Sequence, residues 1–299
     1  MNIATHRKIY FWITGVILAA AIGAIFYFRL PLGIDFTGGS LMQVSYQSNR
    51  PALADIQKAI SVVPMGSVSV RAVGSNEVSI RTRTLTPEEH NAVLAVISQN
   101  ASTTELAYTS VGPTLGGQFE SKALWALIAV VLAIILFIAF AFRKVSRPVP
   151  SWCYGLTVIV ILIHDLIIPA GFFAILAHFT GAEVDALFVT ALLALLGYSV
   201  NDTIIIFDRI REHLAINEKT NNKEEFETTV GKSISETMTR SINSSLTVVL
   251  ALLTLVLVGA AATRTFALVM LVGVIAGTYS SILLAAPLLI PLAKKFIKK

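Results

Sequence analysis

Cysteine is all but missing from this 299-residue chain. Cys153 stands alone, which excludes an intrachain disulfide, so any part of the molecule outside a membrane must hold together by packing. Charge is scarce too. Only 14% of residues are Asp, Glu, Lys or Arg, against 55% apolar residues and a mean hydropathy of +0.74, a balance that excludes a water-soluble globule. Basic residues outnumber acidic ones by 23 to 18. No basic patch accompanies that surplus, so no nucleic-acid partner is expected and the excess reads as a topology signal.

What the chain has in quantity is uninterrupted apolar sequence. About 20 such residues cross a bilayer as a helix. Six stretches reach that length, and spans are expected at residues 9–29, 123–142, 152–176, 186–207, 238–262 and 266–292. The first exceeds the apolar stretch of a signal peptide, and no small-residue cleavage site follows in Leu30-Pro31-Leu32-Gly33. With all six crossing, one side receives residues 1–8, the loop Arg143-Lys144-Val145-Ser146-Arg147, residues 208–237 and the tail 293–299. These hold most of the Lys and Arg, whereas the short loops opposite offer only Arg264. The positive-inside bias therefore puts both termini in the cytoplasm and residues 30–122 on the outer face.

The outer segment follows its own pattern. Polar and apolar residues alternate over Ser40–Tyr46, Ser67–Val73, Glu77–Arg83 and Thr103–Val111, which predicts strands. Pro51–Val63 and Pro87–Gln99 predict helices with Pro in the first turn. Thr86 is a cap with Glu89 three residues on, and Gly74-Ser75-Asn76 joins the central strands as a hairpin. The order β-α-β-β-α-β is that of a ferredoxin-like sandwich. The fold class expected is an α-helical polytopic membrane protein, six transmembrane helices with one small α+β periplasmic domain. That sandwich hosts many activities and assigns none; His90, alone on a polar helix face, reads as a solvated residue. On the opposite side Phe226, Val230, Ile234 and Met238 recur every four residues after Asn222 and Glu225. They predict an amphipathic helix along the membrane surface that runs into the fifth span.

An ionised Asp at the centre of a spanning helix costs on the order of 2.5 to 3.5 kcal/mol, so a chain that keeps one there has a use for it. Asp165 falls near mid-bilayer on the third span, and Asp202 five residues, about 8 Å, inside the cytoplasmic end of the fourth. Arg240 falls at a similar depth on the fifth span, where Asn243, Ser244, Thr247 and Thr254 continue a polar stripe. In a low-dielectric site burial opposes the ionised carboxylate and a guanidinium favours it, so its charge is switchable. Two plainer readings stay open: Asp202 and Arg240 form a static ion pair or snorkel to the interface, and Asp165 is satisfied by His164 and polar neighbours.

Several strings now stand together. They are Gly33-Ile34-Asp35-Phe36-Thr37-Gly38-Gly39-Ser40, the His164-Asp165 pair, Gly197-Tyr198-Ser199-Val200-Asn201-Asp202-Thr203 running into Phe207-Asp208-Arg209-Ile210-Arg211-Glu212, and Thr239-Arg240-Ser241-Ile242-Asn243-Ser244-Ser245. Over essentially the whole chain they resemble the SecD/SecF family of the bacterial Sec protein-export machinery, its SecF branch in particular, within the resistance-nodulation-division superfamily. The resemblance implies a non-enzymatic motor subunit in the inner membrane. It would work with SecD, which brings six more spans, and with the SecYEG channel, using the proton gradient to draw out an exported unfolded polypeptide. Protons would be the coupling ion, with no cofactor and no metal. By the same resemblance Asp202 matches the essential transmembrane aspartate, Arg240 its paired arginine, and Ser244 a position usually held by Thr. Asn201, Asn243, Ser244, Thr247, Asp165 and His164 would support the relay, and Asp35, Gly38 and Gly39 form the motif at the membrane exit. Ending after six spans, the chain looks like the separate rather than the fused form.

Two other classes compete. An intramembrane aspartyl protease would use Asp165 and Asp202, but the glycine-flanked aspartate motif of such enzymes is absent. A small-molecule proton antiporter of the same superfamily would carry larger outer domains than residues 30–122 provide.

Overall fold

A computed structural model of the chain describes residues 6–73, 75–99, 101–142, 149–259 and 261–297. Gly74 of the expected hairpin, the loop Arg143 to Arg147 and the last two lysines lie outside the described residues. In chain order the elements are α1 (Arg7–Phe28), α2 (Ile34–Thr37), β1 (Gly39–Tyr46), α3 (Leu53–Ile60), β2 (Ser69–Val73), β3 (Glu77–Thr82), α4 (Pro87–Ser98), β4 (Thr103–Val111), α5 (Pro113–Ala141), α6 (Ser151–Thr180), α7 (Ala186–Lys219), α8 (Phe226–Val258), α9 (Ala261–Ser280), a π-helical turn (Ser281–Ala285) and α10 (Ala286–Ile297). They fall into two compact units. Met1–Arg29, Ala126–Ile175 and Leu187–Lys299 form a helical unit; Leu30–Trp125 and Leu176–Ala186 form an α+β unit.

Among the described residues six helices are long and apolar enough to cross a membrane: α1, α5, α6, α7, α8, and the run Thr263–Lys294 made of α9, the π turn and α10. Their extents exceed the apolar runs that announced them. α5 begins at Pro113, α7 continues to Lys219, and the expected surface helix and fifth span are one uninterrupted helix, α8. The stripe of Phe226, Val230 and Ile234 is buried in the core of the helical unit with Met238 packed against it. At the centre of that core Phe142 stacks on Tyr154 at 5.2 Å, and Phe207 sets its edge against both rings.

Small residues let helices approach at backbone distance, the usual device where both lipid and side chains are apolar. A Cβ on Gly171 would lie 2.6 Å from the Ala21 Cβ, which brings α6 against α1. A Cβ on Gly273 would lie 2.2 Å from a Leu195 methyl, which brings α9 against α7. At one end Glu227 pairs with Arg7 at 2.5 Å and with Lys294 at 3.4 Å, so α1, α8 and α10 are tied together there.

The α+β unit has the expected ferredoxin-like order, with an antiparallel sheet arranged β2-β3-β1-β4. Met42 faces Ile80 and Val44 faces Val78 across β1 and β3. Alternation sends these residues to one face, where Ile56 and Ile60 of α3 and Val93 and Ile97 of α4 close the core. The capping box at α4 is formed. Thr86 Oγ1 accepts from the Glu89 N–H, and Glu89 accepts from the Thr86 N–H at 3.0 Å. His90 is half-buried, not free in solvent: its Nε2 lies 2.9 Å from Glu105 and its ring lies against Tyr108.

Candidate functional site

Asp165 lies on α6 with 1% of its side chain exposed. Ser280 Oγ donates to its Oδ1 at 2.8 Å, His164 Nδ1 lies 2.8 Å from the same oxygen, and Ser199 Oγ donates to Oδ2. The other nitrogen of His164, Nε2, lies 2.6 Å from the Tyr279 hydroxyl. Three helices therefore converge on one carboxylate, and the fold explains how. Gly277 keeps α9 close to Ser199, and α9 gives way to the π turn at Ser280, so that both Ser280 and Ser281 face inward. Ser281 Oγ meets Thr203 Oγ1 at 2.8 Å. Such turns insert one residue into a helix and recur at functional sites.

Asp202, on α7, is buried to the same degree at 2% exposure, but its surroundings differ. Its one described hydrogen bond comes from Ser245 Oγ at 3.5 Å, and that hydroxyl also lies 2.7 Å from the Ser241 carbonyl on its own helix. Tyr198 OH at 3.0 Å and Thr278 Oγ1 at 2.6 Å both donate to Ser245. The neighbouring Ser241 hydroxyl is buried with no partner among the described residues.

Arg240 does not contact Asp202; among the described residues no ion pair joins them, so the static pair considered above is not formed. The reason is helical phase. On α8 the buried stripe Val230, Ile234, Thr237, Ser241, Ser245 faces the bundle. Arg240, Asn243, Ser244 and Thr247 lie on other faces and are exposed, as is Asn201 on α7. Ser244 and Thr247 donate to backbone carbonyls of their own helix. Depth along the membrane normal placed Arg240 and Asp202 at one level, but the rotation of α8 sends them apart. Ser245, whose hydroxyl does reach Asp202, continues the Phe226–Val230–Ile234 stripe, and extending that period would have found it.

The motif at the start of the α+β unit has a structural account. Gly38 and Gly39 have φ of +73° and +121°, and a Cβ would meet Pro113 at 2.7 Å and the Thr82 carbonyl at 2.5 Å. Only glycine fits both the backbone conformation and the space. Asp35 Oδ2 accepts the N–H of Ala186 at 2.8 Å, the first residue of α7. There a carboxylate accepts from a helix-end donor and complements the positive end of the helix dipole.

Fold and site define a polytopic helical membrane protein that keeps ionisable side chains inside its bundle and carries one small α+β domain. The chain belongs to the SecD/SecF family: residues 92–295 match the C-terminal model of the protein export membrane protein SecD/SecF, and residues 23–49 match the SecD/SecF GG motif. Protein translocase subunit SecF of Thermobaculum terrenum is 36% identical over 97% of this chain and 93% of its own length. That of Helicobacter pylori strain J99 is 35% identical over 91% and 81%. Among solved structures, SecDF of Thermus thermophilus, a translocon-associated membrane protein, matches with a TM-score of 0.83 and 28% identity over 97% of this chain. The chain spans 38% of that SecDF chain.

Proposed function

We propose that this chain is the SecF-type subunit of a Sec translocase and that, with a SecD partner and the SecYEG channel, it couples proton flow to export of an unfolded polypeptide, without covalent chemistry or a resident cofactor. Asp202 carries the proposal: a carboxylate buried in the helical unit, with one long hydroxyl contact and, among the described residues, no ion pair. A buried charge so thinly supported is costly, and adding a proton removes that cost. Protonation weakens the pull on Ser245 and on any cation brought near; release to the other side restores it. One charge moved through 100 mV is worth about 2.3 kcal/mol, so each proton contributes enough to bias a helix rearrangement. The exposed polar face of α8, with Arg240, Asn243, Ser244 and Thr247, supports the partner. In a bilayer such a face calls for polar neighbours, which a second bundle of six spans would supply. The ion pairs of Glu227 with Arg7 and Lys294 put residues near both ends of the chain at one end of the unit. This supports cytoplasmic termini and a periplasmic α+β domain in the bacterial inner membrane.

Export into inverted membrane vesicles under an imposed proton gradient tests this. Asp202→Asn should insert and copurify with its six-span partner yet lose stimulation by the gradient; stimulation at the unsubstituted level would overturn the relay. Arg240→Ala should also lose it and Arg240→Lys regain part, since the charge survives but the planar fork does not.

A further inference from the structure

The resemblance gives His164 only a supporting place beside the relay, yet its surroundings are built for a direct one. Every contact to the Asp165 carboxylate comes from a group able to donate: Ser199, Ser280 and His164 Nδ1. That set suits an ionised carboxylate and fixes the histidine hydrogen on Nδ1. The second nitrogen, Nε2, then faces the Tyr279 hydroxyl at 2.6 Å. A phenol can donate to a bare Nε2 or accept from a protonated one, so rotation of one O–H lets a proton be added with no other rearrangement.

Charge points the same way. Loaded, His164 and Asp165 are a neutral imidazolium–carboxylate pair; emptied, they leave one net negative charge, and among the described residues no Lys or Arg pairs with it. The groups facing the pair from each packed element are few. α7 offers Ser199, with Asp202 three residues on and hydrogen-bonded to Ser245 on α8. α9 offers Tyr279 and Ser280. From α1, Leu18 and Ala21 belong to the apolar cluster that also holds Tyr279. Tyr279 is half-buried and so links the enclosed pair to the edge of the cluster.

We infer that His164 is a second proton-carrying residue of the helical unit, loaded and emptied at Nε2 through Tyr279 and held in its tautomer by Asp165. The only bond made or broken is N–H, the proton coming from and returning to water. The inference rests on the proton-coupled reading above for its purpose, but not for its test.

Nitrogen NMR of the ¹⁵N-histidine-labelled full chain, copurified with its partner and placed in lipid bilayers without a gradient, reads the site directly. The chain has five histidines, and His164→Asn identifies the signal by its disappearance. At high pH His164 should show a protonated Nδ1 and a bare Nε2, the minor tautomer of free histidine, and acidification should convert it to imidazolium. Tyr279→Phe, which removes one hydroxyl, should lower the midpoint by about one pH unit, a tenfold loss of proton affinity. The pH profile of gradient-stimulated export should shift with it. An Nε2–H tautomer, an unchanging signal across the pH range, or a midpoint that Tyr279→Phe leaves in place would each overturn the inference. If Asp202→Asn retains stimulation while His164 titrates as described, the relay proposal fails and this one stands.

Discussion

Asp165 and Asp202 are buried alike, at 1% and 2% exposure, and lie on adjacent helices of one unit, yet they are opposites in how their charge is supported. Asp165 is contacted at both oxygens by side chains of three helices, while Asp202 has one hydroxyl at 3.5 Å that is better placed to bond its own backbone. Burial alone therefore does not tell an anchoring carboxylate from an exchanging one. A full set of donors stabilises one charge state and joins helices; a sparse set leaves the two states close in energy and the helices free to respond.

The contrast breaks most readily in stability. Asp165→Ala strands the buried Ser199 hydroxyl and an imidazole N–H and takes from Ser280 its bond to the carboxylate, and should cost about 3–5 kcal/mol; Asp202→Ala removes one long contact and should cost less than about 1 kcal/mol. Unfolding in detergent checks both, and equal losses would erase the distinction. A finer test uses single hydroxyls. Ser280→Ala removes a hydrogen bond to a carboxylate and should cost about 1–3 kcal/mol, whereas Ser244→Ala, on the exposed stripe, should stay within about 0.5 kcal/mol. The smallest effect belongs to a carboxylate of the α+β unit. The Arg83 side chain and then the Thr86 backbone hold the half-buried Glu89 carboxyl at about 2, down from 4.5. Because its folded value is depressed, its contribution is complete above 4.5 and disappears as pH falls from 4.5 to 2. Amide-exchange protection in the first turn of α4, corrected for intrinsic rates, should decline through that window and lose the dependence in Glu89→Gln.

How much of this was legible in sequence depended on range. The six spans and the strand order rest on local periodicity, and the Thr86–Glu89 box on a three-residue spacing, so all could be read directly. Continuity of α8 was half-visible in the Phe226–Val230–Ile234 stripe; the charged outer residues hid its junction with the span. That Asp202 and Arg240 form no direct ion pair among the described residues was not legible, because residue counting fixes height along a helix but not rotation about it. His90 looked solitary because Glu105 reaches it from a strand 15 residues away. The π turn had a single cue in Pro287, which has no N–H to continue the α-helical ladder, and nothing in the sequence tied Asp35 to α7.

That last tie constrains the order of assembly during synthesis. The acceptor on Asp35 emerges 151 residues before its donor on Ala186, a delay of roughly ten to thirty seconds at ordinary elongation rates. Until then the base of the sandwich is open on one side while the third hydrophobic segment is still being delivered. The clasp closes only when the fourth has begun to enter, along with the bonds of Pro31 and Gly33 to Val184 and of Arg81 to Glu183, so the domain is completed by chain made long after its own strands.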